Sequence, residues 1–296
     1  MMHAGDLPLR RGSPWVFGIG RWLVRHRLRG GYRLIDWAER RGWLNCRALY
    51  RLGERVEIEM PLYRRANQVD ACEAREYERS LVAAVSGAIE GAGRPAVLAD
   101  CGADIGLFSA LVAARTRRLR QVLALEPNGE VFAILERNVG RLPVPGRALC
   151  LAAGARAGRG TLREPDYDGS PHARYAEPGT DGTVEIVALD DLKLAVRDAT
   201  LALKVDVEGG ERDVILGASR TIAEARDAVV AFEAHPLVRA RTGIDPCDVL
   251  RALLAVRPMR WWIAERPDVA VALDRPLFEQ ASPPAVLNIV CVSCDA

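Results

Sequence analysis

Short apolar runs alternate with helical patterns through residues 73–296. The runs at 96–100, 121–125, 147–153, 200–207 and 228–232 read as buried strands, and 261–264 and 285–292 as two closing strands. Between them, apolar positions recur at helical spacing. Examples are Tyr77, Leu81, Val82, Val85 and Ile89 in a helix over 73–90, and Val131, Ile134, Leu135, Val139 and Leu142 in a helix capped by Asn128. Asp245 and Pro246 open a further helix, with proline well placed at its first turn. This alternation predicts a parallel sheet covered on both faces.

The first part of the chain is patterned differently. Residues 14–50 are rich in arginine, interleaved with Trp15, Trp22, Tyr32, Trp37, Trp43 and Tyr50. Leu23, Leu28, Leu34, Ile35 and Leu44 give a patchy helical period. Two readings fit: a helical cap packed on the main domain, or a basic amphipathic element on anionic lipid or a partner. The cap is the preferred reading. Residues 55–60 alternate as a strand stopped by Pro61. Residues 163–182, with His172 and Tyr175, are dense in Gly and Pro and read as a lid, a binding loop or simply a mobile loop. Residues 184–189 resume as a strand ending at Asp190 and Asp191.

Composition narrows the class. With 296 residues and 49% hydrophobic content, the chain can bury one large core behind an N-terminal extension. The 41 basic and 39 acidic residues nearly cancel, which gives no reason to expect a nucleic acid partner. Only two residues, Lys193 and Lys204, are lysines. Seven scattered cysteines, with Cys291-x-x-Cys294 lacking a second pair, fit a reducing compartment rather than zinc. No apolar run reaches the ~18 residues of a membrane span. A cytoplasmic location is expected.

The chemistry gathers at one turn. Residues 96–109 run from a strand through Asp100-Cys101-Gly102-Ala103-Asp104-Ile105-Gly106 into a helix. Strand, glycine turn and helix N-terminus together make a nucleotide crevice at the carboxyl edge of a sheet. The dinucleotide fingerprint would place glycine where Asp100 stands. A carboxylate there disfavours a pyrophosphate and suits a cationic ligand such as S-adenosylmethionine. Glu126 ends the next strand, 20 positions after Gly106, where an acid commonly holds ribose hydroxyls. Ala153, at the tail of the following strand, would flank an adenine.

Several further segments occur in order: Glu126-Pro127, Leu189-Asp190-Asp191-Leu192, Leu203-Lys204-Val205-Asp206-Val207-Glu208-Gly209-Gly210-Glu211 and Glu233-Ala234-His235. Together with the Asp100 turn they resemble the FkbM family of S-adenosylmethionine-dependent methyltransferases, over about residues 95–240. The resemblance implies an α/β fold of the class I methyltransferase (Rossmann-like) type. That fold is a doubly wound, seven-stranded, mostly parallel sheet with its last strand antiparallel, here behind a mainly helical N-terminal extension. The division is 1–72 for the basic, aromatic extension and 73–296 for the methyltransferase domain. The implied activity is O-methylation of a small-molecule hydroxyl, on a sugar, polyketide or other natural product. The family commonly has Asn at position 104, where this chain has Asp104.

The expected cofactor-binding residues are therefore Asp100, Gly102, Ala103, Asp104, Gly106, Glu126, Pro127 and Ala153, and the expected cofactor is S-adenosyl-L-methionine. An aliphatic hydroxyl needs a base. Asp206, Glu208, Glu233 and His235 end the fourth and fifth strands beside the donor turn, with Asp206 or His235 as the base. No metal site is assigned. Mg2+ on Asp190, Asp191, Asp206, Glu208 and Glu233 is the minor alternative. Lys204 is expected to pair with one of these acids. A nucleotide-dependent oxidoreductase and a non-catalytic scaffold are the rival classes. A homo-oligomer is left open.

Overall fold

The structure is a computed structural model, and it describes residues 7–62, 74, 76–164, 174–281 and 285–294. Two short strands, β1 (Leu9–Arg10) and β2 (Arg47–Arg51), flank α1 (Trp15–Arg25) and α2 (Gly31–Arg40), and β3 (Glu57–Pro61) follows. Then come α3 (Arg79–Ala92), β4 (Ala96–Cys101), α4 (Leu107–Arg115), β5 (Leu119–Leu125), α5 (Gly129–Gly140) and β6 (Gly146–Leu149). The middle of the chain holds β7 (Ala152–Ala153), β8 (Gly158–Arg163), β9 (Tyr175–Pro178), β10 (Val184–Val187) and β11 (Thr200–Val205). The remainder is α6 (Glu211–Gly217), α7 (Ser219–Glu224), β12 (Asp227–Ala234), α8 (Pro236–Thr242), α9 (Pro246–Val256), β13 (Met259–Ile263), α10 (Leu277–Gln280) and β14 (Leu287–Ser293).

The main sheet has seven strands in the order β13-β14-β12-β11-β4-β5-β6. β14 is antiparallel to both its neighbours, and the other pairs are parallel. Every residue of β4 and β11 is buried, as strands covered on both faces require. Leu98, Ala202, Val229 and Val290 face one core with α3 and α4. Val97, Leu201, Val230 and Ile289 face the other with α6, α7 and α9. This is the doubly wound arrangement that the alternating pattern predicts.

A second sheet, ordered β7-β10-β8-β9, was not anticipated. The run at 147–153 does not continue as one strand. β6 stops at Leu149, and Ala152–Ala153 turn away to pair with Ile186 and Val187. The strand expected at 184–189 therefore belongs to this smaller sheet, as does Tyr175–Pro178 from the expected loop. His172 lies outside the described residues.

The N-terminal extension, read as mainly helical, contains two helices, α1 and α2, and also the sheet β1-β2-β3. α1 and α2 approach at two glycines, where a Cβ on Gly20 would fall 2.5 Å from the Ile35 side chain. Their inner residues Val16, Phe17 and Ile35 share a core with Ile58, Met60, Leu81 and Leu98. Glu59 on β3 is fully buried and meets three arginines: Arg47, Arg137 at 3.1 Å and Arg141 at 2.6 Å. Asn138 of α5 accepts the Glu59 N–H (2.7 Å), and its Nδ2 donates to the Glu59 carbonyl (3.0 Å) and to Ile105 O (2.8 Å).

Candidate active site

β4 ends at Cys101 because the next residue turns back. Gly102 has φ +77°, and a Cβ there would lie 1.7 Å from the Asp206 carbonyl oxygen. Only glycine fits such an approach. The N–H groups of Gly102 and Ala103 both donate to Leu125 O, at 2.9 and 3.0 Å. Opposite them, Glu126 accepts from Asp104 N at 3.0 Å and from Asn128 N at 2.8 Å, one bond to each carboxylate oxygen. Burial, and then the charge of Asp104, push the Glu126 carboxyl up to about 8. The departure at position 104 is thus felt at Glu126.

These groups line one open cleft, with about 830 Å³ of empty space counted out into the solvent at its mouth. Of the cofactor residues expected from sequence, Gly102, Ala103, Asp104, Glu126, Pro127 and Ala153 line it. Two do not. Asp100 is fully buried under the turn and accepts a hydrogen bond from Ser109 Oγ at 2.7 Å. It ties the first turn of α4 to the end of β4 and feels the charge of Lys204, its neighbour on β11. Gly106 caps α4 at φ +83° and packs toward Leu135, so its part is to close the turn.

The catalytic candidates separate as well. Asp206 and Glu208 line the cleft. The β11–β4 ladder stops at Val205, and Asp206 begins the turn. That turn is held by Glu211, which accepts the Gly209 N–H at 2.9 Å, and by Arg241, which donates to Glu208 O. Arg241 also stacks 3.6 Å above the Tyr175 ring, joining the turn to β9. Glu233 does not line the wall, yet its carboxylate, with those of Asp206 and Glu78, falls within 4.8 Å of its neighbours. His235 is placed otherwise. Its Nδ1 accepts the Leu237 N–H at 3.1 Å and caps α8. With Nδ1 engaged by the backbone, His235 is not among the residues that line the cleft.

Sequence reasoning missed Glu78 and Tyr77. Both fell inside the expected helix 73–90, but α3 begins at Arg79 because Glu78 adopts φ +43°. Tyr77 lines the cleft. A non-glycine residue in the left-handed region is uncommon, and sequence carries no mark of it. Burial, against the pull of Lys204, pushes Glu78 up to about 7. Burial also holds Glu233 well above the usual carboxylate range, with Asp206 and Glu208 adding to it. Lys204 is 4% exposed and donates to Asp206 at 2.8 Å, the pairing expected for it. Burial alone would lower the Lys204 ammonium, but Asp206 and then Glu78 hold it above its ordinary value.

The magnesium alternative loses three of its five ligands. Asp190 accepts from Arg220 N, Thr221 N and Thr221 Oγ1, and neither it nor Asp191 nor Glu208 joins the acids that converge. Glu78, Asp206 and Glu233 converge on a place where Lys204 already supplies a positive charge.

Residues 100–254 match the family model of the methyltransferase FkbM domain. The chain belongs to the FkbM methyltransferase family. A solved FkbM methyltransferase from Methylobacillus flagellatus KT is 18% identical, over 77% of this chain and 53% of that one, with a TM-score of 0.44. This chain therefore spans about half the length of that FkbM protein. A precorrin-6y C5,15-methyltransferase from Geobacter metallireducens GS-15 is 12% identical, over 73% of this chain and 88% of that one, at a TM-score of 0.38. A geranyl diphosphate methyltransferase, solved with its diphosphate and sinefungin, is 11% identical, over 74% and 78%, at 0.41. No curated protein matches the chain by sequence. Among the described residues, no helix is long and apolar enough to cross a membrane.

Proposed function

We propose that this FkbM-family chain is an S-adenosylmethionine-dependent O-methyltransferase acting on a small-molecule hydroxyl. The sugar, polyketide or other natural-product alcohols implied by the resemblance are the first acceptors to test. One observation carries the reading. The cradle of Gly102, Ala103 and Glu126 shares a cleft with the acid group around Asp206 and Lys204. Both halves suit the donor. Glu126 is an acceptor for a ribose diol, and acids near Asp206 suit a cationic centre that carries no phosphate.

When bound, the donor supplies an electrophilic methyl group on a sulfonium. The residues of the chain do the rest. The turn at Gly102 and the Glu126 carboxyl group fix the donor's position, and positioning supplies much of the rate of an in-line displacement. The acceptor oxygen forms the new bond to carbon as the carbon–sulfur bond breaks. Asp206 takes the hydroxyl proton, and Glu78 and Glu233 lie within 4.8 Å to share it. Lys204, paired with Asp206, supplies the counter-charge that a metal would otherwise bring. Turnover is accordingly expected to survive EDTA.

The test is titration calorimetry with S-adenosylhomocysteine, using NAD as control, followed by transfer of labelled methyl to a panel of sugars and polyketide alcohols. Binding of S-adenosylhomocysteine alone is expected. Asp206→Asn should keep that binding and lose roughly 10²-fold or more in turnover. Binding of NAD, or of neither ligand, would overturn the donor assignment. Full turnover in Asp206→Asn would overturn the base.

A further inference from the structure

The packing of α1 and α2 accounts for only half of their apolar residues. Val16, Phe17, Gly20, Ile35 and Ala38 face inward, which satisfies the role of a helical cap. On the opposite side of α1, Trp15, Ile19 and Trp22 recur at four- and three-residue spacing and form a single outer stripe. They are 68%, 46% and 55% exposed. Trp37 and Trp43 stack edge-to-face at 4.9 Å and are also exposed. A large apolar group left in water once needs no explanation, but a row of tryptophans does.

Charge says what covers it. Residues 8–35 hold seven arginines and neither Asp nor Glu. Of these, Arg21, Arg25, Arg27, Arg29 and Arg33 lie on or between the two helices and are exposed. The whole chain carries only +2, so the rest of the molecule is net acidic and this end is sharply cationic. Indole rings favour the headgroup level of a bilayer, and arginines beside them favour anionic lipid. The stripe lies on the outer face of a helix and includes Ile19, with exposed Leu28 just beyond the helix end. Nucleic acid would use the arginines and the rings but would gain nothing from such aliphatic groups.

We propose that the outer face of α1 and the adjoining α1–α2 connection dock the enzyme on an anionic phospholipid surface, with Trp15, Ile19 and Trp22 entering the interface. The helices are both cap and membrane contact, one role on each face. The catalytic reading does not depend on this one, and neither falls with the other.

The test uses the full chain and co-sedimentation with phosphatidylglycerol–phosphatidylcholine vesicles, against phosphatidylcholine alone, in low and high salt. Sedimentation with the anionic vesicles only, weakened by salt, is expected. Trp15→Ser with Trp22→Ser should weaken it tenfold or more. Arg25→Ala should weaken it about fivefold, as for one basic residue at such a surface. Both positions are exposed, so the melting temperature should hold, and Leu216→Ser, exposed elsewhere on the chain, should change nothing. No sedimentation, equal sedimentation with neutral vesicles, or native-like binding by the double tryptophan variant would overturn the proposal. So would a dimer in solution that the double variant abolishes, since the stripe would then be a self-interface.

Discussion

Two glycines and one acid carry the donor turn, and they differ in how they fail. Gly102 and Gly106 both have positive φ, at +77° and +83°. An added Cβ meets the Asp206 backbone oxygen at 1.7 Å in the first case and a movable Leu135 methyl at 2.9 Å in the second. Gly102→Ala should cost roughly 3 kcal/mol or more and abolish S-adenosylhomocysteine binding, with Gly106→Ala distinctly milder in the same thermal melt and titration. Equal effects would mean that backbone strain alone decides. Glu126 gives a pH test. Its folded value of about 8 lies above its ordinary value, so the folded chain holds a proton that the unfolded chain has released. That contribution is fully present below the unfolded value and is lost as pH rises through about 8. The melting temperature of the ligand-free protein should therefore fall from about pH 5 to about pH 9, and fall less in Glu126→Gln. A gap between the two proteins that stays constant with pH would refute the assignment. Gly102 and Glu126 were legible in the sequence because each follows directly on a strand end, and Gly106 because it opens the helix after the turn. Glu78 was not, because it reaches the acid group from a separate segment through a left-handed kink at φ +43°. His235 was legible as a strand end but not as the cap of α8.

Between elements, α5 is the brace of the cleft. Asn138 is 1% exposed and ties β3 to the donor turn through Glu59 and Ile105 O. Nothing about an asparagine at helical spacing distinguishes a buried bridge from a solvated face. The same limit hid the second sheet. Its strands are only two to six residues long, and the periodicity that marks β4 or β11 needs an apolar run. β4 and β11 were readable because every residue in them is buried, which leaves few polar positions. Asn138→Ala would strand three backbone groups, each at about 1–3 kcal/mol when buried without a partner. A melting-temperature loss of several degrees is expected, together with a fall in S-adenosylhomocysteine affinity of about tenfold, because Ile105 belongs to the turn. A destabilised variant with native affinity would show that the brace supports the fold and not the site.

At the scale of the molecule, the division at residues 72 and 73 marks a change in sequence pattern, and the packing argues that it is not a boundary between folding units. The join itself lies outside the described residues. Val16, Phe17, Ile58 and Met60 belong to the same core as Leu81, Leu98 and Val290. Each buried side chain of that size contributes about 1.5–3 kcal/mol, against a total stability of about 5–15 kcal/mol for a typical protein. The ionic contact works the same way. Glu59 is buried against Arg137 and Arg141 of α5 and the residue after it, so removing β3 leaves both arginines without that partner. A chain of residues 76–296 should therefore aggregate or lose its cooperative melt, while the full chain unfolds in one transition. Near-ultraviolet dichroism and calorimetry on the two proteins decide the matter. A truncated chain that melts at the native temperature and still binds S-adenosylhomocysteine would restore the extension to the status of an appendage. Cooperative loss would instead mean that the cationic, aromatic face of α1 is rigidly coupled to the catalytic core, so that docking by one end would fix how the cleft is presented.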